Sequence, residues 1–494
     1  MIRPVADFSI ALSDVAELIG AKVDTESKII VTGITQKDSN VEAGDIFLAI
    51  PGIKVHGANF IEAAKERGAV AIVTDAKGAE KSLGLPTLVV ADVRSAGALI
   101  ASSLYASPTR DLASIAITGT NGKTTVTTLL YQIFESAGRD TGLIGTVETR
   151  IGAEVLKSSR TTPEAADLQA LVATMRERHM RHLVMEVSSH AIALKRVQGS
   201  HFAIVGFTNL SQDHLDFHGD MESYYTTKSQ LFTYEYADSA VINIDNSFGS
   251  RLAGECQIPV ISLSRSSAEA QWHFTQIHNV ASGSEISIRG TGGILIESKT
   301  QLIGGYNLDN LLMAVAIAHE SGIDAIELAT VIPALTGAPG RLDPVNIGQN
   351  FKALVDYAHS PDAVENVLRA AREFTDGKII AVLGCGGDRD SSKRSLMGAA
   401  LAQGCDIAVF TSDNPRSENP ETILKEMIQN LSVSEPSRVI EDRATAIEYA
   451  VSCAAAGDTV LILGKGHESG QEIKGVTTPF DDRLYLARAI EAKK

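Results

Sequence analysis

Tryptophan occurs once and cysteine four times in the 494 residues, and aromatic side chains make up only 5%. The cysteines (Cys256, Cys385, Cys405 and Cys453) form no CxxC pair and no zinc-ligand spacing. That pattern argues against a disulfide framework or a cysteine-held zinc, and the expectation is reduced thiols in the cytoplasm. No apolar run approaches bilayer-spanning length. The opening stretch "MIRPVADFSIALSDVAELIG" lacks the basic-then-apolar order of an export signal. Basic residues are also in deficit: 44 Lys and Arg stand against 60 Asp and Glu, a net charge of −16. A broad nucleic-acid surface needs a basic face. Neither nucleic acid nor membrane is therefore an expected partner, although a local basic loop can still hold a small anion. There is no low-complexity tract and no short internal repeat.

What is present is ample core material, with 44% hydrophobic residues. The length corresponds to about three domains. Residues 28–91 alternate short strand-like runs ("KIIVTGI", "DIFLAI", "VAIVTD", "TLVV") with helical ones such as "ANFIEAAKERG". This reads as a small α/β unit. "YASPTRD" interrupts the alternation, and Pro108 marks an expected boundary. A second unit begins with the strand "LASIAITG", continues through "HLVMEVS", "FAIVGFT" and "SAVINI", and ends in the helix "NLDNLLMAVAIAHESG". Gly337, Pro339 and Gly340 in "LTGAPGR" mark the next boundary. The last unit alternates "KIIAVLG", "DIAVF" and "TVLILG" with helical stretches, a parallel-sheet pattern. The expected fold is α/β throughout, with three domains at 1–108, 109–337 and 338–494.

"ITGTNGKTT", residues 117–125, is the strongest local signal. A strand ends in glycines and Lys-Thr opens a helix, so backbone N–H groups and the helix N-terminus can hold phosphate oxygens. Lys123 would reach the outer phosphates and the Thr124 hydroxyl would take Mg²⁺. The general phosphate-loop pattern is broken at Ile117, where its first glycine belongs. Downstream, Glu186 stands at a strand end, and "TNLSQDHLDFHGDMESYYTTKSQLF" offers Asp213, His214, Asp216, His218 and Lys228. The i, i+4 spacing of His214 and His218 could bind zinc on a helix. No third soft ligand stands near and Gly219 weakens the helix, so a carboxylate-rich Mg²⁺ site is the preferred reading. By default Lys228 is a solvated side chain.

Three loops follow three strands in the last unit: "GCGGDRD", "SDNPR" and "GKGHE". In a parallel sheet they open at one carboxyl-terminal edge. Arg389, Asn414, Arg416, Gly464 and Glu468 would then surround one pocket. Two arginines and a glutamate suit a zwitterion carrying an extra carboxylate, which arginine can grip with two parallel hydrogen bonds.

Taken together, "GTNGKTT", "EVSSHA", "NLSQDHLDFHGDMESYYTTKSQLF", "GGYNLDN", "APGRLD", "VDYAHSPDAVENVL", "GCGGDRDSSKR", "DNPR" and "GKGHE" resemble the Mur ligases of peptidoglycan synthesis, in the family's order and over nearly the whole chain. The resemblance implies a first domain that binds the UDP end of the substrate, a central phosphate-loop ATPase and a Rossmann-like last domain that binds the amino acid. It is strongest to the members that add the third peptide residue. It implies a monomer that uses ATP and Mg²⁺ to join meso-2,6-diaminopimelate to UDP-N-acetylmuramoyl-L-alanyl-D-glutamate through an acyl phosphate.

The resemblance also assigns residues. It implies ATP contacts at Gly119, Thr120, Asn121, Gly122, Lys123, Thr124, Thr125, Asn307, Arg341 and His359. Metal-site positions are Thr124, Glu186, His214 and Lys228, the last matching a lysine that is carbamylated in the family; Lys123, His214 and Lys228 carry the catalytic role. On that match the solvated default for Lys228 is reversed. UDP-dipeptide contacts are implied at Thr161, Thr162, Ser188 and Arg196, while Leu194 stands where some relatives carry glutamine. "QKDSNVEAGD" departs from the family's "DSR" pattern, so no uracil contact is assigned there. The run Asp413, Asn414, Pro415, Arg416, with Arg389, Gly464 and Glu468, marks diaminopimelate. The alternatives are a lysine-adding relative, a folylpolyglutamate-synthetase-like ligase, and a nucleotide-binding switch without ligase chemistry.

Overall fold

The computed structural model describes residues 2–22, 28–52, 55–158, 160–280 and 283–493. The first sheet is parallel and runs Gly33–Thr35, Asp45–Leu48, Ala71–Thr74, Thr87–Val89. Its first three strands are buried throughout, as strands covered on both faces are. The helix Val93–Leu104 packs on it, and the Asp92 side chain caps that helix by accepting from the N–H groups of Arg94 and Ser95. Ala166, Ala170 and Ala173 of the helix Ala165–Glu177 share the same core. Small residues on one helical face permit close approach, so the first sheet is sealed by a helix of the central unit.

Among the described residues the central sheet has 11 strands. Its middle is parallel, with Ala113–Thr118 lying between His182–Glu186 and Phe202–Phe207. Both ends are antiparallel. Glu148–Ile151 and Glu154–Lys157 form one, and the meander Trp272–Val280, Gly283–Arg289, Leu295–Thr300 forms the other. The sequence reading did not anticipate these. Most of Trp272–Val280 is exposed, so no continuous apolar run marks it.

The last sheet orders Asp343–Pro344, Lys352–Asp356, Thr459–Leu463, Ile379–Cys385, Ile407–Ser412 and Arg438–Val439, parallel after the first pair. The helix Pro361–Phe374 begins with Ser360 as its cap and proline in the first turn, where a missing N–H is harmless. All four cysteines are free thiols. Among the described residues no helix is long and apolar enough to cross a membrane.

One ion pair lies wholly inside this last unit. Arg443 Nε and Nη2 bond Asp482 at 2.7 and 2.6 Å, and neither side chain is exposed. The same guanidinium donates to the carbonyls of Ser412 and Leu463, the last residues of two central strands. Removing one partner leaves an uncompensated buried charge. We therefore expect Asp482→Ala to lose about 3–5 kcal/mol, while Arg443→Met with Asp482→Leu recovers most of it. Urea unfolding checks this, and equal stabilities of wild type and Asp482→Ala would exclude it.

Candidate active site

The phosphate loop is shaped by two glycines. Gly119 and Gly122 have φ of 144° and 87°, and the helix Lys123–Ser136 starts immediately after. A Cβ on Gly119 would lie 1.9 Å from Thr208 Oγ1, and one on Gly122 would lie 2.3 Å from Asn310 Oδ1. Both the left-handed backbone and the close approach therefore demand glycine. Ile117 is still inside its strand, so the loop begins two residues later than the general pattern has it. Lys123 Nζ bonds the carbonyls of Gly119 and Thr120 at 2.9 and 2.8 Å, folding back over the loop. Burial lowers its pKa, against the opposing charges of Glu186 and Asp213. The Asn121 N–H is held by Asn209 Oδ1 at 3.0 Å, and Thr125 is buried in the first helical turn.

Glu186 ends its strand beside the loop and is buried. It accepts from Thr124 Oγ1 at 2.9 Å and from Thr146 N and Oγ1 at 2.6 and 2.9 Å. Thr146 Oγ1 also lies 3.0 Å from Thr161 Oγ1. Thr162 donates to the Glu186 carbonyl and accepts from Ser188 N, whose side chain in turn caps the helix Ser189–Ala193. Arg196 Nη1 donates to the Thr162 carbonyl, and its Nη2 pairs with Glu164 at 2.9 Å. Arg94 and Arg160 meet the same carboxylate. Leu194 follows the helix Ser189–Ala193 as its C-terminal cap residue.

Lys228 is 1% exposed. Its Nζ bonds the Gly119 carbonyl at 2.9 Å and sits 4.8 Å from the centre of the Tyr224 ring. Burial, then repulsion from Lys123, holds its pKa well below the ordinary lysine value; only Asp213 opposes them. The solvated default is thus overturned: the amine faces the phosphate loop. His214 adopts a left-handed φ of 55° and precedes the short helix Leu215–His218, so it and His218 do not share a regular helical face. His218 bonds Ser189 Oγ, and Asp216 is exposed. Burial lowers the His214 pKa to about 4, with Asp213 opposing. Among the described residues no three His, Cys, Asp or Glu side chains converge as a metal cluster. The neighbouring Thr124 hydroxyl and Glu186 carboxylate are hard oxygen donors, and Mg²⁺ takes one or two protein oxygens with phosphates and water.

A cavity of about 590 Å³ opens here. Thr120–Thr125, Thr161, Glu186, Ser188, His214, Arg341 and His359 reach its wall. Gly119, Thr162, Arg196, Asn307 and Lys228 do not. Asn307 is turned to the Ile303 carbonyl, and it is Asn310 that faces the space. Arg341 lies 4.7 Å from the centre of the Tyr357 ring, and His359 Nδ1 is 2.8 Å from the Tyr357 carbonyl. Two contacts close the cavity against the last unit: Ser211 Oγ to Asp362 at 2.7 Å, and Asp213 to Lys393 Nζ at 3.2 Å.

Of the loops of the last sheet, Tyr357–His359 lines this cavity, whereas Arg389, Asp413–Arg416, Gly464 and Glu468 do not. Asn414 Nδ2 bonds Glu468 Oε2 at 2.7 Å. Lys465 Nζ, fully buried, meets Asn414 Oδ1, Glu468 Oε2 and the Gly470 carbonyl. Arg416 Nη1 donates to the Gly387 carbonyl at 2.8 Å, while Arg389 is exposed. Burial raises the Asp413 pKa, partly offset by Arg443 and Lys465. Gly464 N is bonded to the Asp356 carbonyl, and the Pro415 carbonyl accepts from Glu418 N. Lys393, Asn310 and Lys465 were not singled out from the sequence. Lys465 lies within the quoted "GKGHE", but nothing in that pattern says its amine is buried.

A phosphate loop on the parallel middle of one sheet, facing the loop edge of a second, defines a nucleotide-binding α/β enzyme of modular build. The "Mur ligase family, catalytic domain", "Mur ligase middle domain" and "Mur ligase, glutamate ligase domain" models match residues 30–103, 117–318 and 340–466. The chain belongs to the Mur ligase family. It is 48% identical, over 99% of its length and 98% of the relative's, to the UDP-N-acetylmuramoyl-L-alanyl-D-glutamate--2,6-diaminopimelate ligase of Streptomyces coelicolor. It is 40% identical to the enzyme of that name from Aquifex aeolicus, over 92% of each chain. A solved structure of a ligase with that name superposes with TM-score 0.69 at 31% identity, covering 100% of this chain and 99% of the other. The Thermotoga maritima MurF ligase, solved in complex with ADP, gives TM-score 0.63 at 16% identity over 93% and 97% of the two chains, a likeness of fold.

The cavity also encloses a carboxylate with a shifted pKa. Burial pushes Asp309 up to about 7, against Arg265 at 2.9 Å. A raised carboxyl pKa means the folded state holds a proton that the unfolded chain has released. The group's stabilising contribution is therefore whole below about pH 4 and lost as pH rises toward 7. Asp309→Asn should gain stability relative to wild type between pH 5 and pH 8. Urea midpoints at both values test this; a difference that does not change with pH would exclude the shift.

Proposed function

We propose that this chain is an ATP-driven amide ligase that joins meso-2,6-diaminopimelate to the D-glutamyl carboxylate of UDP-N-acetylmuramoyl-L-alanyl-D-glutamate. One observation carries the reading. The loop Asp413–Arg416 stands at the same sheet edge as the "GCGGDRD" and "GKGHE" loops, and that edge meets the phosphate-loop unit at Ser211–Asp362 and Asp213–Lys393. The names of the full-length relatives support the choice of substrates. In this reading residues 1–108 hold the UDP end, 109–337 hold ATP and 338–494 hold the amino acid.

Phosphoryl transfer needs in-line positioning and neutralised charge rather than a protein nucleophile. Backbone N–H groups of Gly122–Thr125 and the Lys123 ammonium would cradle the phosphates, with Arg341 and His359 on the facing wall. Thr124 and Glu186 would hold Mg²⁺, with His214 beside them. Mg²⁺ bound there neutralises the charge that builds up on the phosphates. Thr161 and Ser188 would meet the substrate's D-glutamyl group at the cavity wall beside Glu186, with Thr162 and Arg196 bonded behind them. The acyl phosphate formed there is then attacked by the diaminopimelate amine, which expels phosphate. Arg416 would grip the carboxylate that distinguishes diaminopimelate from lysine, with Asn414 and Glu468 on the amino group.

Lys228 enters as a carbamate. Carbamylation requires a neutral amine, and lysine shifts its pKa readily when buried. The amine is held well below its ordinary pKa, next to the phosphate loop.

The deciding experiment measures phosphate release from ATP with each substrate omitted in turn. Release is expected only when UDP-dipeptide and diaminopimelate are both present; release that ignores either one overturns the reading. Lys228→Ala should lose most activity and regain part of it with high bicarbonate or a short carboxylic acid, because the missing group is an anion. Full activity in Lys228→Arg, which keeps the positive charge, would rule out the carbamate.

A further inference from the structure

The segment after "GKGHE" has no role in the reading above, yet it is stitched along the loop Asp413–Arg416. Gly470–Ile473 pairs antiparallel with Val476–Pro479, and this exposed hairpin turns at Lys474 and Gly475, with φ of 50° and 77°. Its first strand follows the loop. Gln471 Nε2 donates to the Asp413 carbonyl at 2.7 Å, and Glu472 N donates to Asn414 Oδ1 at 2.9 Å. Arg416 N donates to the Glu472 carbonyl at 3.0 Å, and Lys474 N donates to the Arg416 carbonyl at 2.6 Å. Arg416 thus bridges to Ile473 as an added parallel pair, and both of its backbone polar groups are taken by the hairpin.

The backbone of Arg416 shows what this holds in place. Its φ is 52°, in the left-handed region that side chains with a Cβ avoid unless their surroundings impose it. From that conformation Nη1 reaches the Gly387 carbonyl and Nε lies 3.8 Å from the Glu472 carboxylate. Among the described residues nothing bonds Nη2. The guanidinium is anchored at one corner and open at another.

We propose that the hairpin Gly470–Pro479 is a specificity clamp. It holds Arg416 in the left-handed conformation that aims its guanidinium at the side-chain carboxylate of the amino-acid substrate. This rests on the reading that Arg416 recognises that carboxylate. Preorganising a recognition group removes an ordering penalty that binding would otherwise carry. Gln471, Glu472 and Lys474 are therefore positioning residues acting through Arg416.

Lys474→Pro tests the clamp. It removes the N–H that holds the Arg416 carbonyl, and its ring fixes φ near −65°, incompatible with the turn. Lys474→Ala keeps the N–H and serves as the conservative control. We expect Lys474→Pro to raise the KM for diaminopimelate about tenfold and to narrow the preference over lysine, with the KM for ATP unchanged within about twofold. Lys474→Ala should behave as wild type. Gln471→Leu, which severs only the bond to Asp413, should move the diaminopimelate-to-lysine ratio in the same direction. Arg416→Ala is measured in parallel. If it changes selectivity while Lys474→Pro and Gln471→Leu do not, the clamp is wrong. If Arg416→Ala leaves selectivity unchanged, the reading of Arg416 is what fails. Equal rises in the KM for ATP and for diaminopimelate in Lys474→Pro would mean the hairpin only supports the fold, and the proposal falls.

Discussion

Parallel pairing sends the carboxyl end of every strand to one edge, and here two such edges meet at one cavity. In the central sheet the edge carries the phosphate loop after Thr118, Glu186, and the loop that follows Phe207. In the last sheet it carries Tyr357–His359, the run after Cys385, Asp413–Arg416 and Gly464–Glu468. Backbone N–H groups at a helix N-terminus attract anions without further help. The chain gains a phosphate-binding end on one side and a charged loop cluster on the other, joined by two polar contacts.

Burial then decides the chemistry of the side chains at that junction. Glu186 stays in place because three hydrogen bonds from Thr124 and Thr146 satisfy it. Among the described residues no carboxylate lies at bonding distance from Lys228, which is pressed against the Gly119 carbonyl beside a second cation, so its charged form is disfavoured. The two lysines near one loop are thus unequal. Burial lowers the pKa of both, but Glu186 and Asp213 oppose it at Lys123, whereas at Lys228 the charge of Lys123 adds to it and Asp213 alone opposes.

On the far edge, buried charge fixes loop geometry. Arg443 ties the ends of two strands to Asp482, Lys465 draws Asn414 and Glu468 together, and the hairpin holds the backbone of Arg416. Charged groups removed from water survive only with partners, so each loop is constrained by the one beside it.

The α/β class, the parallel sheets and the loops that matter were legible in the sequence, because apolar runs such as "KIIAVLG" and "TVLILG" mark strands covered on both faces and glycines mark tight turns. "GTNGKTT" carried its own geometry in Gly119 and Gly122. The antiparallel strands over 272–300 and the hairpin at 470–479 were not legible, since their strands mix polar and apolar residues and carry no continuous apolar run. Nor could spacing tell that Asn310 rather than Asn307 faces the cavity, or that Lys465 and Lys228 are buried while Arg389 is exposed. The sequence by itself determined which residues sit in which loops, since turn and strand signals are local. Only the tertiary structure decided which of those side chains meet, which are desolvated and which way Arg416 is held, because those depend on groups brought together from distant parts of the chain.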